Sequence, residues 1–570
     1  RKTSLEFIDP DPPDGTGDFQ QNCAIRIQGG AFRHLSNTRK KSFRVLFKSD
    51  YGLSNQPTGG PGKLDFPLFG PDAADEFQTL IFRAEANDGW SWKGARNQPQ
   101  YARDEFGRRL HRELGHPASH ARYCHLYLNG AYWGVYNVVE RPDSGFAESY
   151  LGVDRESWQG QNAGQPINEN LSLQDWSEFL DVLDNISAQA GDAARNRSYL
   201  RVCGFTLGGS RHEPFEVWFD PDNFIDYLLA NWFGANEDWP RHNYYCGRDP
   251  GPNSSGYKFF MWDVEASLGL ATHITFDQTG NFDGVGAPQE HLEQSPEYRV
   301  RFGDRAHAAL FNGGALTRGR TAGLYRRITA LHSRILIPES ARWGNQHGDR
   351  RHVGEWHTEW RRLVDSGDGW FARRPAILLN ELKGRGLYPD LEAPTYSQHG
   401  GSLVAGAGPT LSVPDHVTKV YYCHGPRDVD LTDYGHSLDP RLVGGGINPD
   451  ATLIDFGAPG DGAGTHTSAP LALTQPGFLL SRSYDSATGE WSALNSALFT
   501  INTVPATSAN LVISEIHYHP AAPSAEEIAA GFADQNLFEF LEVQNIGESN
   551  VDLTGVEFIS GVAFTFPPGF

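Results

Sequence analysis

Three residues near the middle of the chain have the types and spacing for phosphoryl chemistry. Asp238 and Asn243 stand five positions apart in Asp238-Trp-Pro-Arg-His-Asn243, and Asp263 closes the run Phe259-Phe260-Met261-Trp262. Transfer from a nucleoside triphosphate uses one carboxylate to orient or deprotonate the acceptor hydroxyl. An amide oxygen and a second carboxylate then hold the divalent ions that bridge the phosphates. Taken alone, a D-x4-N pair is common, and an Asx-turn with a helix cap accounts for it as well. The elements that would have to bring the three residues together decide between the two.

Those elements occur in a suggestive order. Residues 22–28 and 42–48 read as strands around a turn-rich link containing Gly29-Gly30. Lys41 opens the second strand, in the place of a lysine that neutralises phosphates, with Lys40 and Lys48 as solvated neighbours. In 103–114 the apolar residues Phe106, Leu110 and Leu114 recur every four positions, which predicts an amphipathic helix ending at Gly115. That helix offers Asp104 and Glu105 as acid partners for Lys41, Glu105 being the better placed. Residues 123–140 read as a hairpin turning at Asn129-Gly130 and ending in Val139-Glu140, a site for a hinge whose backbone meets adenine. The segment 153–209 is polar and is expected to be a helical insertion. A better helix follows Asp220, with Phe224, Tyr227, Leu228 and Trp232 on one face, and leads into Asp238. Short strands at 244–245 and 257–263 come next, then helical patterns over 299–336 and 355–382 with a polar link at 344–354.

At these residues the chain resembles the CotH kinase family, atypical protein kinases of spore coats and of many secreted bacterial proteins. The resemblance rests on RIQGGAFRHLSNTRKKSFRVLFKSDYG (26–52), YARDEFGRRLHRELG (101–115), LYLNGAYWGVYNVVERPD (126–143), DPDNFIDYLLANWFGANEDWPRHNYY (220–245) and FFMWDVEASLG (259–269). It implies a two-lobed kinase-like domain over 1–389 and phosphorylation of Ser or Thr with ATP and Mg2+ (or Mn2+). Carried over by match, Asp238 is the catalytic carboxylate, Lys41, Glu105 and Glu140 serve ATP, and Asn243 and Asp263 hold metal. Arg241 and His242 are candidate phosphate or substrate contacts, with His242 equally able to pack beside Trp239 or Tyr244. The chain departs from the usual kinase pattern in its longer, glycine-poor loop, in lacking His-Arg before Asp238, and in Glu265 where a DFG-type motif has glycine.

After Pro389 the composition shifts to Thr, Ser, Val, Gly and Pro with short alternating runs. Residues 390–505 resemble the immunoglobulin-like domain that follows glycosidase catalytic domains, and 509–570 resemble a lamin-tail domain, read as incomplete at Phe570. The expected fold class is therefore α+β multidomain, a kinase-like domain followed by two all-β sandwiches. Protease-sensitive links are expected near 386–392 and 503–510.

A net charge of -22 argues against a nucleic-acid partner, since tracking phosphates requires clustered Lys and Arg. No run approaches the length of a membrane span. Cys23, Cys124, Cys203, Cys246 and Cys423 show no metal-ligand spacing and read as buried thiols, with a Cys203 to Cys246 bridge open in an oxidising compartment. His517 and His519 read as surface residues before they read as metal ligands, and the sequons at Asn170, Asn185, Asn196 and Asn253 as chance matches. The chain reads as a piece of a longer, exported polypeptide at the cell surface. Its protein substrate belongs to the envelope or is the chain itself, and the sandwiches are suited to hold surface proteins or polysaccharide. The alternative is a structural or adhesive protein that keeps the fold without activity. A carbohydrate-active enzyme using Asp238 and Glu265 fits by residue type alone.

Overall fold

The structure, a computed structural model, describes all residues except 10–16, 49–61, 71, 95–96, 168–172, 213–215, 271–272, 349, 366, 435, 461–463, 519, 530–534, 559–563 and 567–570. Asn170 and His519 lie outside the described residues.

Among the described residues up to 140, an upper lobe is built from β1 (Lys2–Phe7), β2 (Phe19–Gln28), β3 (Ser42–Leu46), β4 (Leu64–Asp65), β5 (Glu76–Phe77), β6 (Thr79–Arg83), β7 (Ala121–Leu128) and β8 (Ala131–Glu140), while α1 (Arg103–Glu113) buries Phe106 and Leu110 in the main core with the helices that follow. Six strands form one antiparallel sheet in the order β1-β2-β3-β6-β8-β7. The β7–β8 turn needs two left-handed residues and has them in Asn129 and Gly130. β6 lies between the loop-bearing β2–β3 pair and the hairpin, and it carries Arg83 at its end.

A lower lobe follows, with α2 (Ser144–Leu151), β9 (Gln159–Asn162), β10 (Gln165–Pro166), α3 (Gln174–Ser187), α4 (Asp192–Val202), α5 (Pro221–Gly234), β11 (Tyr244–Arg248) and β12 (Lys258–Met261). α5 starts as its sequence dictates. Asp220 accepts the Asn223 N–H, Pro221 fills the first turn where no donor is needed, and the apolar face sinks into the main core with Phe224, Tyr227, Leu228 and Trp232. The segment 153–209 is not wholly a helical insertion. β9 and β10 extend the sheet β10-β9-β11-β12, so part of it supports the strands that flank Asn243 and Asp263. The helices α6 (Ala287–Leu292), α7 (Pro296–Leu310), α8 (Arg318–Ile328), α9 (His332–Trp343), α10 (Val353–Val364) and α11 (Trp370–Gly384) complete the lobe.

Lys40, expected to be solvated, is fully buried. Its ammonium donates to Val135 O and, at 2.7 Å, to Glu339 of α9, whose other oxygen accepts the Val135 N–H at 2.7 Å. Only glycine admits this approach at position 134, where φ is +141° and a Cβ would meet Glu339 Oε2 at 2.5 Å. The pair ties the upper sheet to a lower-lobe helix.

From Thr395 the regular elements among the described residues are nearly all strands. A three-stranded sheet (395–396, 411–414, 465–467) and a larger one (401–403, 419–425, 452–455, 477–485, 490–491, 495–501) share a core of Leu411, Val413, Val420, Leu479 and Phe499. This β unit is joined to the helices by charge as well as by chain. Arg482 is buried between Asp304 of α7 and Asp439, Arg441 pairs with Glu297 of α7, and Tyr434 packs on Tyr199 of α4. The link between them is packed too, with Leu387 fully buried and Tyr388 nearly so, which argues against the expected cleavage at 386–392. Beyond 503 the described residues form strand pairs 503–505 with 550–552, 511–517 with 540–545, and 557–558 with 564–565, plus a short helix at 525–529. All five cysteines are free, four of them buried, so the Cys203 to Cys246 bridge does not form. Asn196 is buried and accepts from Ser295 and Glu297, leaving its sequon closed to modification. His517 spends Nδ1 on the backbone oxygen of Phe538. Among the described residues no helix is long and apolar enough to cross a membrane.

Candidate functional site

The register of the lower sheet pairs Tyr244 with Met261. Asn243 and Asp263 lie one and two residues beyond that pair, at neighbouring strand ends. Both adopt left-handed backbone, with φ of +63° and +56°, a conformation that costs non-glycine residues energy and that clusters at functional sites. Asn243 Nδ2 donates to the Asp238 carboxylate at 2.9 Å and to its backbone oxygen at 3.0 Å. The bland Asx-type arrangement is thus present, and it also turns the amide oxygen of Asn243 away from Asp238. Asp238 is exposed, and its charge is felt at Asp263. Asp263 leaves 40% of its side chain open to solvent.

Arg83 reaches this group from the upper lobe. Its two terminal nitrogens donate to Asp263 Oδ1 and Glu265 Oε1, its Nε is 3.2 Å from Asp104 Oδ2, and its guanidinium lies 5.2 Å from the centre of the Trp262 ring. Asp104, in the first turn of α1, accepts the Val264 N–H at 3.1 Å through Oδ1 and Arg108 Nε at 2.9 Å through Oδ2. One carboxylate therefore joins α1, β6 and the segment after β12. Burial pulls the Arg83 guanidinium down, but Asp104, Glu265, Asp263 and Glu85 together hold it well above the usual range. Burial pushes Asp104 up, and Arg83 with Arg108 outweighs it and leaves the carboxyl below its ordinary value. Glu265 is pushed well up, first by burial and then by neighbouring carboxylates, against the pull of Arg83.

Lys41 is not the residue that meets these acids. Its ammonium is spent on the backbone oxygens of Phe32 (2.9 Å), His34 (2.9 Å) and Thr38, stapling the 31–38 loop. Glu105, the partner expected for it, is bound to Arg108 and Arg109. A cation entering the cleft from above has to sit on the strand between the loop pair and the hairpin, and that strand is β6. The run Thr79-Leu-Ile-Phe-Arg83, β-forming residues ending in a base before the α1 acids, is the signal that locates it. Glu140 ends β8, but its amide N–H is given to His120 O and its carboxylate accepts from His120 N and Tyr150 Oη. Arg241 pairs with Asp283 at 2.6 Å on the surface, and His242 is exposed.

Around Arg83 and Arg108 stand Glu85, Asp104, Asp263 and Glu265, with Asp238 beside them. Such an excess of carboxylates requires a bound proton or a divalent cation. No group of three His, Cys, Asp or Glu side chains among the described residues is arranged to hold a metal alone. Mg2+ suits the place nonetheless. It is commonly held by one or two protein oxygens with water and substrate phosphates completing the shell, and Asp263 with the Asn243 amide oxygen supplies that donor set.

The family described as CotH kinase protein matches residues 25–368, more than half of the chain and all the elements just described. The chain belongs to the CotH kinase family. No curated protein matches it. Membership of CotH carries a kinase-like function, with nucleotide and metal use in general, onto a chain whose mixed helices and sheets accord with it.

Proposed function

We propose that this CotH chain is a secreted or cell-surface atypical protein kinase that moves the terminal phosphoryl group of ATP to Ser or Thr of envelope proteins or of itself. The observation that carries the reading is the meeting of Asp238, Asn243 and Asp263 at one sheet end, below a basic residue fixed by an acid of α1. In this reading Asp238, exposed and in no ion pair among the described residues, orients the acceptor hydroxyl and takes its proton as the oxygen bonds to phosphorus and ADP leaves. Arg83 positions Asp263 and adds positive charge beside the phosphates. Asp263 and Asn243 would hold Mg2+, which supplies charge neutralisation on the phosphate oxygens. The two-sheet unit at 390–505 and the strands beyond 509 serve as immunoglobulin-like and lamin-tail-like adaptors for surface proteins or polysaccharide.

A second reading, a non-catalytic surface scaffold, is favoured by one feature. Tyr245 and Trp262 are buried against Ile81 and Val139, so aromatic rings fill the space between the lobes beside Arg83. Incubation with γ-labelled ATP and Mg2+ or Mn2+, with and without envelope proteins, separates the two. The kinase reading predicts metal-dependent label on Ser or Thr, and persistent absence of label leaves the scaffold.

A further inference from the structure

The cleft carries a second group of arginines that the reaction above does not use. Arg26 of β2 and Arg44 of β3 are Cα partners, and Arg44 is in turn the partner of Ile81, two residues before Arg83. Directly paired residues and residues two apart share a face, so all four side chains point to the same side of the sheet. That side faces the lower lobe, since Ile81 is buried with Tyr245 and Trp262. Arg141, just beyond β8, donates Nε to Tyr245 Oη at 3.2 Å. Burial, then the charges of Arg141 and Arg26, push the Arg44 guanidinium down to about 10.

Like charges directly opposite in a sheet repel, and here a third guanidinium joins the pair. The fully buried arginines of this chain come with carboxylates: Arg103 with Asp88, Arg248 with Asp175, Arg374 with Glu381, Arg482 with Asp304. Among the described residues Arg26 and Arg44 make no such ion pair. The carboxylate that acts on Arg44, Asp143, is occupied in capping α2 through the Gly145 N–H and stands 3.7 Å from Arg141. Arg44 Nε is buried with no hydrogen-bond partner. In a chain of net charge -22, three guanidiniums that share one carboxylate, running from the exposed Arg26 to the half-buried Arg44, are a receptor for an anion.

We propose that Arg26, Arg44 and Arg141 form a phosphate-binding subsite at the β8 end of the cleft, separate from the Asp238, Asn243 and Asp263 group. Planar guanidinium forks match phosphate oxygens in pairs, and partial burial strengthens each contact. The phosphate belongs either to a nucleotide lying with its phosphates toward this end or to a second phosphorylated molecule. The subsite stands whether or not Asp238 and Asp263 perform transfer.

Titration calorimetry of the full chain with inorganic pyrophosphate, without divalent metal, tests the subsite. Arg44→Leu, and the exposed and structurally mild Arg26→Ala, should each weaken binding by about tenfold or more, while Asp263→Ala leaves it in place. Failure of the wild type to bind pyrophosphate, or undiminished binding by both arginine variants, overturns the proposal. Metal-free ATP that competes with pyrophosphate assigns the phosphate to the nucleotide, and simultaneous binding assigns it to a second molecule. Should Asp263→Ala retain full phosphoryl transfer, the kinase assignment of Asp263 falls while the pyrophosphate result still decides the subsite.

Discussion

Arg83 of the upper lobe is bonded to Asp263 of the lower lobe, and the same guanidinium is held from behind by Asp104 of α1. This contact makes the geometry of the cleft depend on one buried cation. Arg83→Met leaves Glu265 buried without its cation and leaves Asp104 with Arg108 alone, and removal of one partner from such a network costs about 3–5 kcal/mol. Urea denaturation should show the midpoint falling sharply, with Arg83→Lys intermediate because a single ammonium cannot reach both Asp263 and Glu265 in parallel.

The neighbours Lys40 and Lys41 should differ in kind. Lys40→Met strands Glu339 in the interior and breaks the tie between the upper sheet and α9, a loss of about 3–5 kcal/mol. Lys41→Met releases three backbone oxygens, those of Phe32 and His34 in a partly exposed loop and that of the buried Thr38, but strands no charge, and should cost about 1–2 kcal/mol. Equal midpoints for the two variants would refute this division.

Buried histidines contribute to the acid limit, His111 among them, pushed well below its ordinary value by burial. Burial pushes His332 down to about 4, and burial with the nearby His399 and Arg482 charges pushes His307 down to about 4. Their unfolded value is about 6.5. Between pH 6.5 and 4 the unfolded chain binds protons at these two positions that the folded chain refuses, so their contribution to stability is complete above about pH 6.5 and is lost as the pH falls toward 4. Each contributes about 3 kcal/mol of that loss. His332→Gln should flatten the fall of melting temperature over this range, and an unchanged slope would contradict it.

Limited proteolysis should cut within 503–510 and spare 386–392. Pro505 and 507–509 are exposed, whereas Leu387 and Tyr388 are buried and the adjoining β unit is pinned by Arg482 and Arg441. Early cleavage at 386–392 would show that these ionic contacts do not hold the two units together.

Much of the framework was legible because local signals were strong. The Asn129-Gly130 turn, the four-residue period of α1 and the Asp220-Pro221 start of α5 each name their element with little help from the rest of the chain. D-x4-N and the strand-end Asp263 were legible as types at a spacing. The place the structure gives Lys41 has a physical origin. A lysine after a glycine-bearing turn looks like a phosphate ligand, but three carbonyls of its own loop capture the ammonium, and nothing in the local sequence tells Lys40 that Glu339, far along the chain, will bury it. Arg83 was missed because its importance lies in sheet order. Only when β6 is placed between β3 and β8 does its end point at Asp104 and Asp263. The packed link at 387–388 was hidden for a similar reason, since the charges that secure it come from α7 and from residues beyond 430.

The central claim is that Asp263 holds metal for a nucleotide while Asp238 serves the acceptor. Equilibrium binding of ATP with and without Mg2+, set beside transfer of labelled phosphate, tests it in wild type, Asp263→Ala and Asp238→Ala. The expected result is loss of the Mg2+-dependent part of ATP binding in Asp263→Ala. Asp238→Ala should retain most of that binding and lose transfer. Equal Mg2+-dependent ATP binding by the wild type and Asp263→Ala would contradict the assignment.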